Sequence, residues 1–186
     1  MPVLAATTWT VRPGGPTSMK SGKFILTDTT TGSALTCPSS ALSGTLKRGS
    51  GLPGPGLGSI AAASLTNCSS PFGFGFTLQA RDLPWHLNFS SSNATTGVMT
   101  GSLSHLQMKL SLPSCTAVID GTSGTASDGI VKFRYTNGSG VLRVRATGGN
   151  LHFYNARGCA GLVVTGDSAT ISAAFAVSPK QAITSP

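Results

Sequence analysis

Apolar residues in this chain recur at every second position, and nowhere is the 3.6-residue interval of a helix sustained. In Phe72-Gly73-Phe74-Gly75-Phe76-Thr77-Leu78-Gln79-Ala80 the three Phe, Leu78 and Ala80 share one face of an extended segment. Trp85, Leu87 and Phe89 repeat the pattern after the short Arg81-Asp82-Leu83-Pro84 connection. Leu106, Met108 and Leu110 form a third row, and Ala169, Ile171, Ala173, Phe175 and Val177 a fourth. Shorter strands are expected at 24–27, 34–37, 42–46, 59–65 and 115–119. Turn residues separate them: Asn93 to Gly97, Asp120-Gly121, Asp128-Gly129, Asn137-Gly138 and Gly148-Gly149-Asn150. Composition agrees, since 24 Gly, 11 Pro and a charged fraction of 10% without any Glu argue against a helical bundle. The expected fold is a single all-β domain, an antiparallel sandwich or a flattened, partly closed barrel. Alternation by itself does not choose between the two.

With 186 residues and 39% hydrophobic residues, the chain is long and apolar enough for one ordinary core. No run of about 18 apolar residues is present for a membrane-spanning helix. Residues 1–6 stand apart as a signal-peptide remnant or bare start, with Val3-Leu4-Ala5 fitting a small-x-small cleavage end. Residues 7–186 form the expected domain, with a weak two-half repeat (7–80 and 81–186). Each half carries a Cys, a Gly-Thr pair (Gly44-Thr45, Gly124-Thr125), strands and a second Cys. Gly49 to Gly58 reads as a Pro/Gly loop, and the chain from Ser178-Pro179 onward as a strand exit or tail.

Cys37, Cys68, Cys115 and Cys159 are an even set without a C-x-x-C pair or a His at metal-ligand spacing. They point to disulfides and export, not to a metal site, and no cofactor is expected. Four cysteines allow three connectivities. Sequential pairing, Cys37–Cys68 and Cys115–Cys159, gives each half its own closed loop and is the expected one.

Short motifs are spread over the chain: Thr8-Trp9-Thr10-Val11 with Pro13-Gly14-Gly15, Thr27-Asp28-Thr29-Thr30-Thr31-Gly32, Leu83-Pro84-Trp85 and Asn93-Ala94-Thr95-Thr96-Gly97. Gly148-Gly149-Asn150-Leu151-His152, Gly158-Cys159-Ala160-Gly161-Leu162 and Val177-Ser178-Pro179 continue them. In these the chain resembles a family of small secreted actinobacterial, Streptomyces-like proteins with four cysteines and no assigned activity. The resemblance implies export from a high-GC Gram-positive cell and transfers no functional residue.

Catalysis has few groups to draw on. Five scattered Asp include just one near pair, Asp120 and Asp128, and each sits in an Asp-Gly turn. No G-x-S-x-G elbow is present. Of the three histidines, alternation turns His86 and His105 outward, leaving His152 as the best general-base candidate.

The basic hairpin carries more weight. Ile130-Val131-Lys132-Phe133-Arg134-Tyr135 and Val141-Leu142-Arg143-Val144-Arg145 flank Thr136-Asn137-Gly138-Ser139-Gly140. A two-residue loop at Asn137-Gly138 or at Gly138-Ser139 puts Phe133, Tyr135, Leu142 and Val144 on one face. Both registers send Lys132, Arg134, Arg143 and Arg145 out of the other, as an anion-binding strip. With a formal net charge of +8, few acids remain to neutralise it. The favoured function is a secreted, non-enzymatic β protein associating with the cell envelope or an anionic extracellular polymer, without sequence-specific nucleic-acid readout. The alternative is a carrier holding a small apolar ligand or lipid against the Phe72/Phe74/Phe76 and Trp85/Leu87/Phe89 rows. A small secreted hydrolase is third.

Overall fold

A computed structural model describes residues 7–186; the signal-peptide reading at residues 1–6 lies outside them. Sixteen strands and no helix form the described chain, so no helix long and apolar enough to cross a membrane is present. In order they are β1 (Thr8–Arg12), β2 (Gly15–Asp28), β3 (Ala34–Cys37), β4 (Ser39–Leu46), β5 (Gly49–Pro53) and β6 (Gly58–Thr66). Then come β7 (Cys68–Ser69), β8 (Gly75–Arg81), β9 (Trp85–Asn93), β10 (Val98–Ser111) and β11 (Thr116–Asp120). β12 (Gly129–Thr136), β13 (Val141–Arg145), β14 (His152–Arg157), β15 (Ala169–Ser178) and β16 (Ala182–Thr184) complete the chain.

Thirteen of these strands compose one antiparallel sheet, and its pairings close on themselves. β3 and β4 both pair with β2, so they are one stave interrupted at Pro38. In the same way β6–β7, β8–β9, β11–β12 and β13–β14 are staves broken in mid-course. The eight staves run up and down in chain order, and β15 returns to pair with β2. The sequence left a sandwich and a barrel open; an irregular closed barrel is what forms.

Every stave is interrupted along its course. Pro38, Asn67, Asp82-Leu83-Pro84, the bulge at His105, the loops 121–128 and 146–151, and the β2/β15 bulge at Lys23 and Ala174 mark these interruptions. Asn67, Asp82, His105 and Ser127 have positive φ at these points. A regular ladder cannot pass through such residues, because the left-handed conformation turns the strand away from its partner.

Inside, alternation delivers the expected rows. Trp85, Leu87, Phe89, Leu106, Met108, Leu110, Phe133, Tyr135, Ile171 and Phe175 are all buried. Gly101 of β10 is required here, since a Cβ would lie 2.0 Å from Asn88 O and 2.7 Å from Phe133 Cζ. Phe133 uses that gap to meet Phe89 edge-on at 5.1 Å. Between Trp85, Leu106 and Phe175 a void of about 20 Å³ remains, and between Phe89, Tyr135 and Ile183 one of about 10 Å³, each about the size of one water molecule.

One end is closed by a three-stranded sheet, β16-β1-β5. Two expectations are corrected here. The Pro/Gly loop contains β5, whose Leu52 pairs with Trp9, and the C-terminal tail contains β16, whose Ile183 pairs with Val11. Gly54 is compulsory beneath Trp9, because a Cβ would reach 2.2 Å from Phe89 O and 2.7 Å from Trp9 Nε1. Asn137 fastens β16 to the barrel, donating to Ile183 O (2.7 Å) and accepting from Ile183 N (2.9 Å).

The disulfides are Cys37–Cys68 and Cys115–Cys159. Each joins the second and third staves of a four-stave run, one run ending at Asn93 and the other starting at Val98. Cys37–Cys68 spans a thin stretch of its seam, where β3 and β7 share the single pair Thr36↔Ser69. Closing loops of 31 and 44 residues contributes about 4 kcal/mol each in the chain-entropy model.

The Phe row is only partly interior. The fourth stave begins at Gly75, leaving Phe72 and Phe74 on the preceding turn at 72% and 61% exposure, while Phe76 is 8% exposed. Gly73 (φ +81°) and the bond from Phe74 N to Ser70 Oγ end the alternation. Phe76→Ala should therefore cost about 3 kcal/mol or more. Phe72→Ser should stay within about 0.5 kcal/mol of the parent. Urea unfolding of both variants checks the contrast.

Candidate functional site

The basic hairpin forms with Phe133↔Val144 and Tyr135↔Leu142 buried toward the barrel axis. On the outer face Lys132 stands directly opposite Arg145, and Arg134 directly opposite Arg143, all four exposed. The connection is a four-residue turn, Asn137 to Gly140, closed by Gly140 N to Thr136 O (2.8 Å); neither two-residue loop forms. Side-chain parity survives that correction, because the register equals that of the Gly138-Ser139 alternative.

Opposed like charges repel across a ladder, so the strip is an unneutralised field unless acids flank it. They do not. Beyond β12 the adjacent partners of Arg134 and Lys132 are Thr100 and Ser102 of β10, and beyond β13 the partner of Arg143 is Ala174 of β15. Small side chains there keep the guanidinium groups open to a large anion.

Two concavities bring further groups to the strip. A shallow groove of about 370 Å³ is lined by Lys23, Ile25, Arg143, Arg145, Ser172 and Ala174. Lys23 reaches it because the β2/β15 register slips between Ala173 and Phe175, turning both Gly22 and Lys23 outward. Around Arg145 a second hollow of about 230 Å³ opens where the seventh stave breaks; Gly148, Gly149, His152, Ser168 and Thr170 line it. Arg145 belongs to both. Lys23 had no signal in the sequence, since a bulge is invisible to alternation counting.

His152, the expected general-base candidate, lies in the second hollow opposite Ser168 across an isolated bridge. Its Nδ1–H donates to Asn150 O (2.9 Å), fixing the tautomer and leaving Nε2 as an acceptor. His86 and His105 meet on the outer surface with ring centroids 4.4 Å apart, and His105 Nδ1 lies 3.3 Å from Ser104 Oγ. Among the described residues no three His, Cys, Asp or Glu side chains form a cluster that could hold a metal ion.

The acids serve loops. Asp120, buried, accepts from the amides of Gly121 (2.7 Å), Ser127 (2.9 Å) and Asp128 (3.0 Å) and from Gln107 Nε2 (2.8 Å). Asp128 accepts from Thr122 N (2.8 Å) and the Thr122 hydroxyl, and Ser127 Oγ donates to Asp82. Both Asp-Gly dipeptides thus organise the 121–128 loop. The sequence missed a different pair: Asp167 stands against Asp28, and partial burial plus the Asp28 charge raise its pKa above the ordinary 3.8.

Asp128 shows the opposite shift. The Thr122 hydroxyl, then the Thr122 amide, hold its pKa below 3.8. A carboxylate depressed in the folded state stabilises the fold above its ordinary pKa and loses that contribution as pH falls through the lowered value. Thr122→Val should move the Asp128 titration, followed by side-chain carboxyl NMR, back up toward 3.8. Its acid unfolding should then begin at higher pH. No family model matches this chain, and no curated protein or solved structure matches it either.

Proposed function

We propose that the protein is a secreted, non-enzymatic binder of a flexible anionic polymer at the cell envelope, such as a phosphate-bearing wall glycan. One observation carries this reading: two cation pairs stand directly opposed, Lys132/Arg145 and Arg134/Arg143, and Arg143 and Arg145 line a groove that also receives Lys23. Successive pairs along a strand repeat about every 7 Å, so the strip presents a line of charge instead of one pocket. A chain of phosphates or carboxylates matches a line; a small monoanion does not use it. Arg supplies paired donors to each anionic group, and Ser172 offers a hydroxyl inside the groove. Two disulfides and the resemblance to secreted actinobacterial proteins support export and an envelope setting.

Polyphosphate and isolated anionic wall polymer are the probes. If four cations engage, log Kd should depend on log salt with a slope near 3 in magnitude, using the flexible-strand coefficient of about 0.7 per contact. Arg143→Ser with Arg145→Ser should halve that slope and weaken binding at least about tenfold at low salt, with unchanged thermal unfolding because both side chains are exposed. Equal binding by parent and double variant would remove the strip from the function.

A further inference from the structure

At the barrel end opposite β1 and β16, the turn after β2 meets the loop before β15, and there two of the chain's five acids touch. Asp28 is fully buried. Its Oδ1 closes the turn by accepting from Thr30 N (2.9 Å) and Thr31 N (3.0 Å), while its Oδ2 is buried with no hydrogen-bond partner. Asp28 pairs with Ala169, two residues beyond Asp167, and after partial burial the Asp28 charge raises the Asp167 pKa. More contacts draw the two segments together: Thr29 N and Oγ1 both donate to Ser168 O (2.9 and 3.1 Å), and Thr31 Oγ1 donates to Leu162 O (3.2 Å).

Two ionised carboxylates are acceptors only and cannot bond each other. A buried carboxylate oxygen without a donor is among the more expensive features a fold can carry. Thirteen Lys and Arg are present in the chain, yet the hydrogen bonds to Asp28 come from backbone amides. A positive group between the two carboxyls would relieve both costs.

We propose that Asp28 Oδ2 and the Asp167 carboxylate bind a calcium ion. The donors are all oxygen, which selects a hard cation over zinc or copper. Asp167 is half-buried, leaving one side of the site open to water. Calcium accepts such irregular, partly hydrated coordination, whereas magnesium demands a near-ideal octahedron. Two carboxylates place the affinity in the weak range of extracellular modules, about 10⁻⁴ to 10⁻³ M. The ion would fasten a thin seam, since β14 reaches the eighth stave through the single bridge His152↔Ser168. The same loop carries Leu162 and Val163, both buried over the barrel end. This site is separate from the basic strip and stands or falls without it.

The test adds calcium chloride to the full chain after dialysis against EDTA. Calorimetry should show saturable binding, and 10 mM calcium should raise the melting temperature by about 3–6 °C, with magnesium giving less than half of that shift. Calcium should also slow hydrogen exchange at Thr30, Thr31 and Ser168 in the parent protein, a readout that needs no variant. Asp167→Asn should fold and lose the calcium shift, while Arg143→Ser with Arg145→Ser should keep it. No heat and no shift in the parent at 10 mM, or a shift retained by Asp167→Asn, would overturn the site. If Asp167→Asn proves more stable than the parent in EDTA and the parent ignores calcium, the pair shares a proton instead.

Discussion

Everything in this molecule depends on the ladder between β15 and β2. Nine residue pairs, from Ala169↔Asp28 to Ser178↔Ser18, join the last stave to the first. Without them the meander would end in two long, half-apolar edges, each an open template for another chain. With them both edges vanish, and the alternating rows of all eight staves turn inward on one core. Closure joins residues some 140–160 positions apart, so the barrel can form only after its intermediate hairpins have brought the ends together. The disulfides assist at this stage, because each ties two neighbouring staves together, the two bridges on opposite sides of the ring.

Much of this architecture was legible as faces. Parity alone placed Phe133, Tyr135, Leu142 and Val144 inside and the four cations outside, and it survived a wrong turn length because slipping a hairpin by two residues preserves every face. Phe72 and Phe74 show where parity fails. They alternate as well as Phe76 does, but the strand starts later, and Ser70 and Gly73 bend the chain before it. Local pattern cannot say where pairing begins. The base sheet was hidden for a related reason: β5 is stabilised by Trp9 and Leu52 meeting across sequence distance, not by its own Gly-rich propensity. The Asp28–Asp167 contact follows from closure itself, and nothing in either local sequence announces it.

Charge is segregated by the same economy of acids. Asp82, Asp120 and Asp128 fold the breaks in the fourth and sixth staves, and Asp28 closes the first turn. Backbone amides and hydroxyls occupy them there. With no Glu in the chain, no carboxylate is left over for the outer face of β12 and β13. The positive strip is thus a consequence of where the acids are needed as much as of where the cations are placed.

The breaks in the staves explain why that strip is more than a flat solvated surface. In a regular barrel the outward side chains of β13, β15 and β2 would stand in even rows on a convex wall. Here the seventh stave ends at Arg145 and resumes at His152, and the first and eighth staves bulge at Lys23 and Ala174. The first irregularity opens the hollow beside Arg145; the second turns Lys23 toward Arg143 and Arg145 across small side chains. Ladder bonds lost at these positions destabilise the barrel locally, and the closed core and two disulfides tolerate the loss. The groove, its converging cations and the interruption of the staves are therefore one feature. A substitution that restored a continuous ladder through 146–151 would flatten the site while leaving all four strip cations in place.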